Sequence, residues 1–181
     1  MITKSNQIQN ELVLIQECID GNRKSQHNLY NTYAGKMYAI CLRYLGNEHD
    51  AQDCLQNGFI KLFTSLKQFR GEGAFEGWAR KIFVFTCIES LRKVRTTTSD
   101  FDNLNVENND LNGFDKISMK DLLEIIQSLP EGFRTVVNLY MVEGYLHREI
   151  SEMLGISEGT SKSQLARAKI ILQTKISLLL N

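Results

Sequence analysis

The sequence predicts an all-α protein in which two small helical domains are joined by a flexible linker. Apolar residues recur at steps of three and four along most of the chain, and the strict alternation typical of strands is absent. Proline, which interrupts helices, occurs once, at Pro130. A stretch rich in Thr, Asn and Asp, residues 96–117, separates the two helical parts. We therefore place the domains at residues 1–95 and 118–181.

The first domain is predicted to contain four helices. One lies around residues 12–18, and the second ends near Gly46, where its apolar pattern stops. The third follows the break GNEHD, and the fourth starts near Phe75 and runs towards the basic segment LRKVR. The predicted inward residues are Leu29, Tyr33, Met37, Ile40 and Tyr44 in the second helix, Leu55, Phe59, Leu62, Phe63 and Leu66 in the third, and Trp78, Ile82, Phe85 and Leu91 in the fourth.

The linker and the second domain follow from a change in composition. Residues 96–117 hold too few apolar side chains to bury and carry five acids against Lys116, so we predict a flexible acidic linker. Helical periodicity resumes near Met119, and Pro130 suits the first turn of the next helix. The predicted inward residues are Leu122, Ile125, Ile126 and Leu129 before the proline, and Phe133, Val136, Val137, Tyr140 and Met141 after it. Two short helices are predicted after Gly144.

Composition excludes several classes of protein. The 181 residues include 21 basic and 21 acidic side chains, so the formal net charge is zero. No apolar run approaches the roughly 18 to 20 residues that span a bilayer, and the first residues do not resemble a secretion signal, which predicts a cytoplasmic protein without membrane insertion. The four cysteines lack C-x-x-C pairs and histidines at ligand spacing, and we expect reduced, mostly buried thiols at Cys18, Cys41, Cys54 and Cys87.

The segment HREISEMLGISEGTSKSQLARAK, residues 147–169, predicts a helix-turn-helix. Ile150, Met153 and Leu154 share one side of a helix that stops at Gly155, a residue suited to a left-handed helix end. Ser157 is placed to cap the next helix. A helix, a short turn with glycine and a second helix form the motif that sets its second helix in the major groove of DNA.

The second helix of this motif carries a polar face suited to DNA. With Leu165 pointing inwards, Ala168, Leu172, Ile176 and Leu179 continue the inward stripe, as about 100° per residue requires. Arg and Lys can bind phosphate or guanine, Gln can pair with adenine, and small residues permit close approach. The predicted outward residues are Ser163 and Arg167, flanked by Lys162, Gln164 and Ala166. The alternative is an ordinary solvated helix face.

A second constellation lies in NEHDAQDCLQNGFIKLF. Asp50, Asp53 and Asn57 share a helical face opposite the apolar stripe, with Gln56 beside them, and we interpret this face as a partner-binding surface. An acidic first turn that stabilises the helix N-terminus accounts for part of the pattern. Glu48, His49, Asp50 and Asp53 could suggest a metal site, but all four lie on one segment, and metal ligands usually converge from separate elements. We therefore predict no metal and no cofactor.

A third constellation combines aromatic and basic residues between Phe69 and Arg95. Phe69, Phe75 and Trp78 stand near Arg70, Arg80 and Lys81, and the segment from Arg80 to Arg95 sets five basic residues against Glu89. Unstacked bases can rest on aromatic rings while basic groups follow the phosphates, which indicates single-stranded DNA. The alternative places most of these rings in the core.

These three stretches, in this order, resemble the extracytoplasmic-function (ECF) group of bacterial RNA polymerase sigma factors. DAQDCLQNGFIKLF is similar to region 2.2 of that family, and FRGEGAFEGWARKI with ESLRK is similar to regions 2.3 and 2.4. LPEGFRTVVNLYMVEGYLHREISEMLGISEGTSKSQLARAK is similar to region 4. The resemblance implies a non-catalytic subunit that binds core RNA polymerase and directs promoter-specific transcription initiation.

The resemblance also implies roles for individual residues. The polymerase clamp coiled coil would be bound by Asp50, Asp53, Gln56 and Asn57. The −10 element would be opened and held by Arg70, Phe75, Trp78, Arg80, Lys81, Arg92 and Arg95. The −35 element would be read by Arg148, Thr160, Lys162, Ser163, Gln164 and Arg167. The second domain would also contact the polymerase flap, and an anti-sigma factor would hold a chain that is monomeric when free.

Four positions depart from the family pattern. Gln52 and Asn57 stand where glutamate is frequent, which makes the clamp-facing surface less acidic. Phe85 stands where the family usually has asparagine, so no polar role is assigned to that position. Ser161 replaces a residue that is more often apolar.

Two other classes of function explain less of the sequence. A helix-turn-helix regulator with an N-terminal sensing or protein-interaction domain would share residues 147–169 but would leave the face at Asp50 to Asn57 unexplained. An enzyme is disfavoured, because the chain has no H-E-x-x-H, G-x-S-x-G or phosphate-binding glycine loop, and His27, His49 and His147 lie on unrelated segments.

Overall fold

Helices make up all the regular secondary structure in the described part of the chain, and the predicted all-α class is confirmed. The computed structural model describes residues 4–97 and 119–180, and the side chains of residues 9–93 and 120–179. The chain divides into two units, residues 1–42 with 47–90 and residues 43–46 with 91–181. Most of the predicted linker, residues 98–117, lies outside the described residues. No described helix is both long and apolar enough to cross a membrane.

The N-terminal part of the chain folds into the four predicted helices. They are α1, Lys4–Ile19; α2, Arg23–Leu45; α3, Glu48–Ser65; and α4, Phe75–Thr97, with a 3₁₀ turn at Leu66–Gln68. α2 ends just before Gly46, whose φ of +79° lies in the left-handed region that glycine tolerates. α3 begins after Asn47, whose side-chain oxygen accepts a hydrogen bond from the Asp50 N–H at 2.9 Å.

Aromatic rings join α2, α3 and α4 in the core of the first unit. The rings of Tyr30 and Phe59 lie 4.5 Å apart between centroids, those of Phe59 and Phe83 5.2 Å, and those of Tyr33 and Phe75 5.3 Å. Such tilted and edge-on contacts are favourable for aromatic quadrupoles. All five residues of the predicted α2 stripe are buried, namely Leu29, Tyr33, Met37, Ile40 and Tyr44.

The predicted inward stripe of α4 is partly wrong. Leu91 is buried, but Trp78 and Ile82 are only partly buried and Phe85 is 47% exposed. The helix faces the core instead with a stripe that begins at Phe75, the first helical residue, and is displaced around the helix axis. Its members are Phe75, Ala79, Phe83, Val84, Cys87, Ile88 and Leu91. The prediction rested on the large apolar residues Trp78 and Phe85, whereas the small residues Ala79 and Cys87 occupy the buried side of the helix.

The second unit contains four further helices. They are α5, Met119–Gln127; α6, Glu131–Val137; α7, His147–Leu154; and α8, Glu158–Leu180, and α8 packs against the other three. Pro130 caps α6 from the position just before its first residue, with φ −50°. The guanidinium of Arg134 donates hydrogen bonds to the carbonyl oxygens of Gln127 at 2.8 Å and Leu129 at 3.4 Å, which ties α6 to the end of α5.

A π-helical turn at Asn138–Val142 follows α6 and changes the predicted burial. The Glu143 N–H donates to the Asn138 carbonyl at 2.9 Å, a step of five residues that widens the turn. As a result Tyr140 and Met141 are 37% and 55% exposed, and the buried position passes to Leu139. The prediction that both residues face the core is wrong because it assumed an unbroken α-helical period.

The predicted helix-turn-helix is confirmed in its local geometry. α7 ends at Gly155, which adopts a left-handed conformation with φ +67°. The Ser157 hydroxyl accepts a hydrogen bond from the Thr160 N–H at 2.9 Å and so caps α8. The apolar residues that hold α7 and α8 in place are buried at Ile150, Leu165, Ala168 and Leu172.

A buried hydroxyl completes the packing of α7 against α8. Ser161 is fully buried, and its oxygen lies 2.9 Å from Nδ1 of His147. The His147 ring stacks on Tyr140 with 4.5 Å between centroids. A polar residue at this usually apolar position is therefore accounted for by its partner on α7, since buried polar groups need hydrogen bonds.

We expect Gly58→Ala in α3 to lower the free energy of unfolding by about 1–2 kcal/mol after the better helix propensity of alanine is counted. A Cβ on Gly58 would lie 2.5 Å from Cδ1 of the buried Phe83 ring and closer still to Cε1. Gly35→Ala in α2 is the matched control, because a Cβ there meets nothing within 4 Å and should raise stability by about 0.5–1 kcal/mol. Urea unfolding followed by circular dichroism measures both, and equal stability of Gly58→Ala and the wild type would contradict this account.

Removing the buried hydroxyl should weaken the second unit. We expect Ser161→Ala to destabilise the protein by about 1 kcal/mol, because a part-buried ring nitrogen of His147 loses its partner. Ser163→Ala, two residues further on the exposed side of α8, should change stability by less than about 0.5 kcal/mol. The same unfolding experiment compares the two serines, and similar losses at both would argue against a structural role for Ser161.

Candidate nucleic-acid and polymerase interfaces

The outward face of α8 is a polar surface backed by the core of the second unit. Leu165, Ala168 and Leu172 are buried, so the opposite side of the helix is directed to solvent. Gln164 is half-buried at the edge of this surface. We call this surface the recognition face. Its exposed residues are Lys162, Ser163, Ala166 and Arg167. The angular prediction made from Leu165 therefore matches the exposure found along α8.

Some basic residues of the helix-turn-helix form exposed ion pairs with acids of their own helix. Lys162 Nζ lies 2.7 Å from Glu158 Oε1, and Arg148 Nε lies 3.5 Å from Glu152 Oε1. The hydrogen bond and the charge of Lys162 lower the pKa of the Glu158 carboxyl. Exposed pairs of this kind contribute little stability, so both cations can exchange their carboxylate partners for phosphates. Arg167 forms no ion pair within the described residues.

Hydroxyl groups at the start of α8 have structural partners. The Ser163 hydroxyl donates to the Thr160 carbonyl at 3.0 Å, and the hydroxyls of Thr160 and Ser157 lie 2.8 Å apart. Thr160 is thus part of the helix cap while its side chain stays at the surface. This network orients the first turn of α8, where the recognition face begins.

The polar face of α3 is fully at the surface of the first unit. Asp50, Asp53, Gln56 and Asn57 are all exposed, whereas Cys54 and Phe59 on the other side are buried. The Asn47 amide donates to the Asp50 carboxylate at 2.7 Å, which orients that carboxylate at the helix start. Asp53 and its neighbours project from a helix anchored by the aromatic core.

An apolar residue extends this face and escaped the sequence analysis. Ile60 is 62% exposed and lies three residues after Asn57 and seven after Asp53, hence on the same side of α3. A large aliphatic residue outside the inward stripe was the signal that could have identified it. An exposed apolar side chain among polar groups is typical of a protein-binding surface.

His49 does not create a metal site with the acids of α3. Its Nδ1 lies 3.5 Å from Asp50 and 3.9 Å from Asp53, but the histidine side chain is 84% exposed. Among the described residues, the group whose donor atoms lie close enough to hold a metal ion is Cys41, Cys54 and Cys87 instead.

The aromatic residues before and within α4 form a cluster of tilted and edge-on rings. The ring of Trp78 lies 5.4 Å from Phe69 and 5.6 Å from Phe75 between centroids. Phe75 is fully buried and Trp78 only partly, so the cluster presents Trp78 at the surface and keeps Phe75 in the core. The expectation of an available ring is thereby corrected for Phe75, because Tyr33 and Phe69 cover it.

A cleft between α3 and α4 begins at Trp78. It has a volume of about 440 Å³, and Trp78, Lys81, Phe85 and Glu89 line it together with Lys61. Lys61 Nζ lies 2.5 Å from Glu89 Oε2 and links the two walls. Phe85, which departs from the family pattern, therefore adds an exposed ring to this cleft.

The remaining basic residues are distributed around this cluster. Arg70 and Lys81 are exposed, Arg80 is partly buried, and Arg92 is exposed near the end of α4. Arg95 lies in α4, but its side chain is outside the described part. The candidates for the −10 element thus lie on α4 and the loop before it. Those from Arg70 to Lys81 belong to the first unit, with the α3 face, whereas Arg92 and Arg95 belong to the second.

Comparisons with known families match both parts of the chain. Residues 29–97 match sigma-70 region 2, and residues 119–172 match sigma-70 region 4. Together the two matches cover well over half of the chain. The match to region 2 argues against a regulator with an N-terminal sensing domain. That hypothesis left the polar face of α3 unexplained, and region 2 contains this helix.

Individual relatives agree with this assignment. The ECF RNA polymerase sigma factor SigE of Mycolicibacterium smegmatis is 31% identical over 152 residues, covering 80% of this chain and 59% of that relative. The ECF RNA polymerase sigma-E factor of Haemophilus influenzae is 28% identical over 177 residues, covering 90% and 93%.

A solved structure shares the fold. The sigma factor RpoE from Bartonella quintana, crystallised with the anti-sigma factor NepR, superposes with a TM-score of 0.52 at 18% identity, covering 83% of this chain and 96% of that one. At this identity the likeness supports the fold alone. From the two family matches and the similar ECF relatives, the chain belongs to the ECF group of the sigma-70 family, whose members direct core RNA polymerase to promoters.

Proposed function

We propose that this chain binds core RNA polymerase through α3 and contacts promoter DNA at two places, with α4 at the −10 element and α8 at the −35 element. The observation that carries the proposal is that all three helices bury one side in the core and leave the candidate residues, apart from the buried Phe75, exposed or partly exposed on the other. The corresponding domain limits are 1–95, 96–117 and 118–181, and we propose no catalytic role for either domain.

The clamp coiled coil of the polymerase is the proposed partner of α3. Exposed carboxylates at Asp50 and Asp53 can pair with basic groups, the amides of Gln56 and Asn57 can donate and accept hydrogen bonds, and Ile60 can fill an apolar pocket. Charge complementarity guides docking, while a desolvated apolar residue at the centre supplies affinity. Because this face has two carboxylates and two neutral amides, its binding to the clamp should depend less on charge than that of a fully acidic face.

The −10 element is the proposed partner of the surface around Trp78. The half-buried ring offers a stacking platform, and the exposed Arg70 and Lys81 can follow the backbone of a separated strand. Arg80, Arg92 and Arg95 extend the basic character along α4. Phe75 supports the platform from below, because its ring packs against Trp78 in the core.

The −35 element is the proposed partner of the recognition face. Arg167 and Ser163 lie at the centre of the face, while Lys162 and Gln164 flank them. An arginine can donate two hydrogen bonds to guanine, and serine allows the helix backbone close to the bases. Arg148 on α7 and Thr160 at the start of α8 are placed for phosphates of the same groove.

Further partners follow from family membership. We propose that the second domain also binds the polymerase flap and that the chain acts in the cytoplasm as a monomer when free. The Bartonella sigma factor was crystallised in complex with an anti-sigma factor, and we propose that a protein of that class binds this chain and holds it inactive.

Run-off transcription tests the proposal directly. Purified core polymerase, a matched promoter and this chain should give a specific transcript that core polymerase alone does not. Because the formal net charge is zero, the free chain should bind duplex promoter weakly and require the polymerase for stable binding. No stimulation across promoters selected with the reconstituted complex would refute the assignment.

Asp53→Arg should weaken binding of the chain to core polymerase by about tenfold or more. The substitution places a positive charge on the clamp face, the exposed α3 surface of Asp50, Asp53, Gln56, Asn57 and Ile60, where it would repel basic groups of the polymerase. Asp20→Arg is the matched control, since it makes the same charge change at an exposed residue outside α3. Titration of the labelled variants with core polymerase measures both affinities. Equal affinities for the two variants would exclude Asp53 from the interface.

Arg167→Ala should reduce initiation at a −35-dependent promoter by about tenfold, as expected for the loss of one base-contacting arginine. Binding to core polymerase should stay unchanged, because Arg167 lies outside the proposed clamp face. Lys169→Ala removes an exposed positive charge from another side of α8 and should have a much smaller effect. If both substitutions reduce transcription equally, the arginine acts through charge alone and the assigned face is incorrect.

A further inference from the structure

Three cysteines from three helices meet in the core of the first unit. Cys41 lies on α2, Cys54 on α3 and Cys87 on α4, and all three are buried. Their sulfur atoms lie within 4.8 Å of one another, and those of Cys54 and Cys87 are 3.5 Å apart. The expectation of free, buried thiols is confirmed, but the convergence has no signal in the sequence.

Ordinary core packing accounts for a single buried cysteine but explains this arrangement poorly. Cys18 on α1 is also buried and stays outside the group, so it shows how a thiol fills space as a small apolar residue. At the meeting point of α2, α3 and α4, by contrast, three soft donor atoms replace the branched aliphatic side chains that would pack equally well. Soft sulfur donors select thiophilic ions such as zinc.

The sulfur separations suit a common metal centre. A tetrahedral zinc site with Zn–S bonds of about 2.3 Å has sulfur atoms about 3.8 Å apart. The observed separations of 3.5 Å and up to 4.8 Å enclose that value. The three sulfur atoms therefore lie close to the separations that tetrahedral coordination of one zinc ion requires.

A positive charge lies near the three sulfur atoms. The ammonium group of Lys61 on α3 is close enough to Cys54 to act on it electrostatically. Three thiolates around a divalent ion leave one net negative charge, and a nearby lysine offsets it. A monovalent ion would leave two such charges in the core, which is less favourable in a medium of low dielectric constant.

We propose that Cys41, Cys54 and Cys87 form a binding site for a thiophilic divalent metal ion, Zn²⁺, that ties α2, α3 and α4 together. On binding, each thiol releases its proton to solvent and donates a sulfur lone pair to the metal, so no oxidant or reductant is consumed. A solvent molecule would take the fourth position, as in zinc sites that have three protein ligands. The site is independent of the proposed promoter contacts, because its readouts are metal content and stability.

Co²⁺ provides the direct test, because thiolate ligation produces charge-transfer and d–d absorption bands. The full-length chain is reduced, unfolded and refolded with Co²⁺, and then titrated with Zn²⁺. We expect one equivalent of Co²⁺ with bands typical of tetrahedral thiolate coordination, loss of these bands on adding Zn²⁺, and a higher melting temperature with Zn²⁺ than with a chelator. Refolded wild-type chain without thiolate bands or bound zinc would overturn the proposal.

Single alanine substitutions locate the ligands. Cys41→Ala, Cys54→Ala and Cys87→Ala should each lose the stoichiometric equivalent, whereas Cys18→Ala should retain it as the matched control. Circular dichroism without metal verifies that each variant folds, and the wild-type titration decides the question where one does not. Unchanged Co²⁺ binding in folded variants of the cluster, or equal loss in Cys18→Ala, would refute these ligands.

Discussion

The contact between Gly58 and the Phe83 ring sets the spacing of α3 and α4, on which both surfaces of the first unit depend. Only the absence of a Cβ lets the ring lie against the α3 backbone. Phe83 in turn contacts Phe59, which packs on Tyr30 of α2. Because this network fixes the inner sides of α3 and α4, the exposed polar face of α3 and the ring of Trp78 are held on helices rather than on loops.

In the second unit, α8 likewise packs into the core with one side and exposes the other. α8 is held by an apolar stripe, a serine cap and one buried hydrogen bond to His147, so none of these core contacts involves its outer face. Residues at the boundary serve both purposes. Thr160 belongs to the cap, and Gln164 is half-buried, so substitutions there would mix stability with recognition.

Two of the basic residues proposed to contact DNA are paired with acids of their own helix. Lys162 is paired with Glu158, and Arg148 with Glu152, one helical turn away in each case. Phosphates must compete with these carboxylates, which reduces the gain from nonspecific contact. Such a surface suits a subunit that reaches DNA together with a large enzyme, where the polymerase supplies much of the affinity and the subunit supplies the choice of sequence.

The sequence by itself determined the helices, the turn at Gly155 and the polar faces of α3 and α8, because these depend on periodicity and local capping. It failed where a long-range contact or an irregular turn decided the outcome. The π turn rotated Tyr140 and Met141 outwards, and the packing of α4 on Phe59 exposed Phe85 and buried Phe75. Cys41, Cys54 and Cys87 are far apart in the chain, and only the packing of three helices brings their sulfur atoms together.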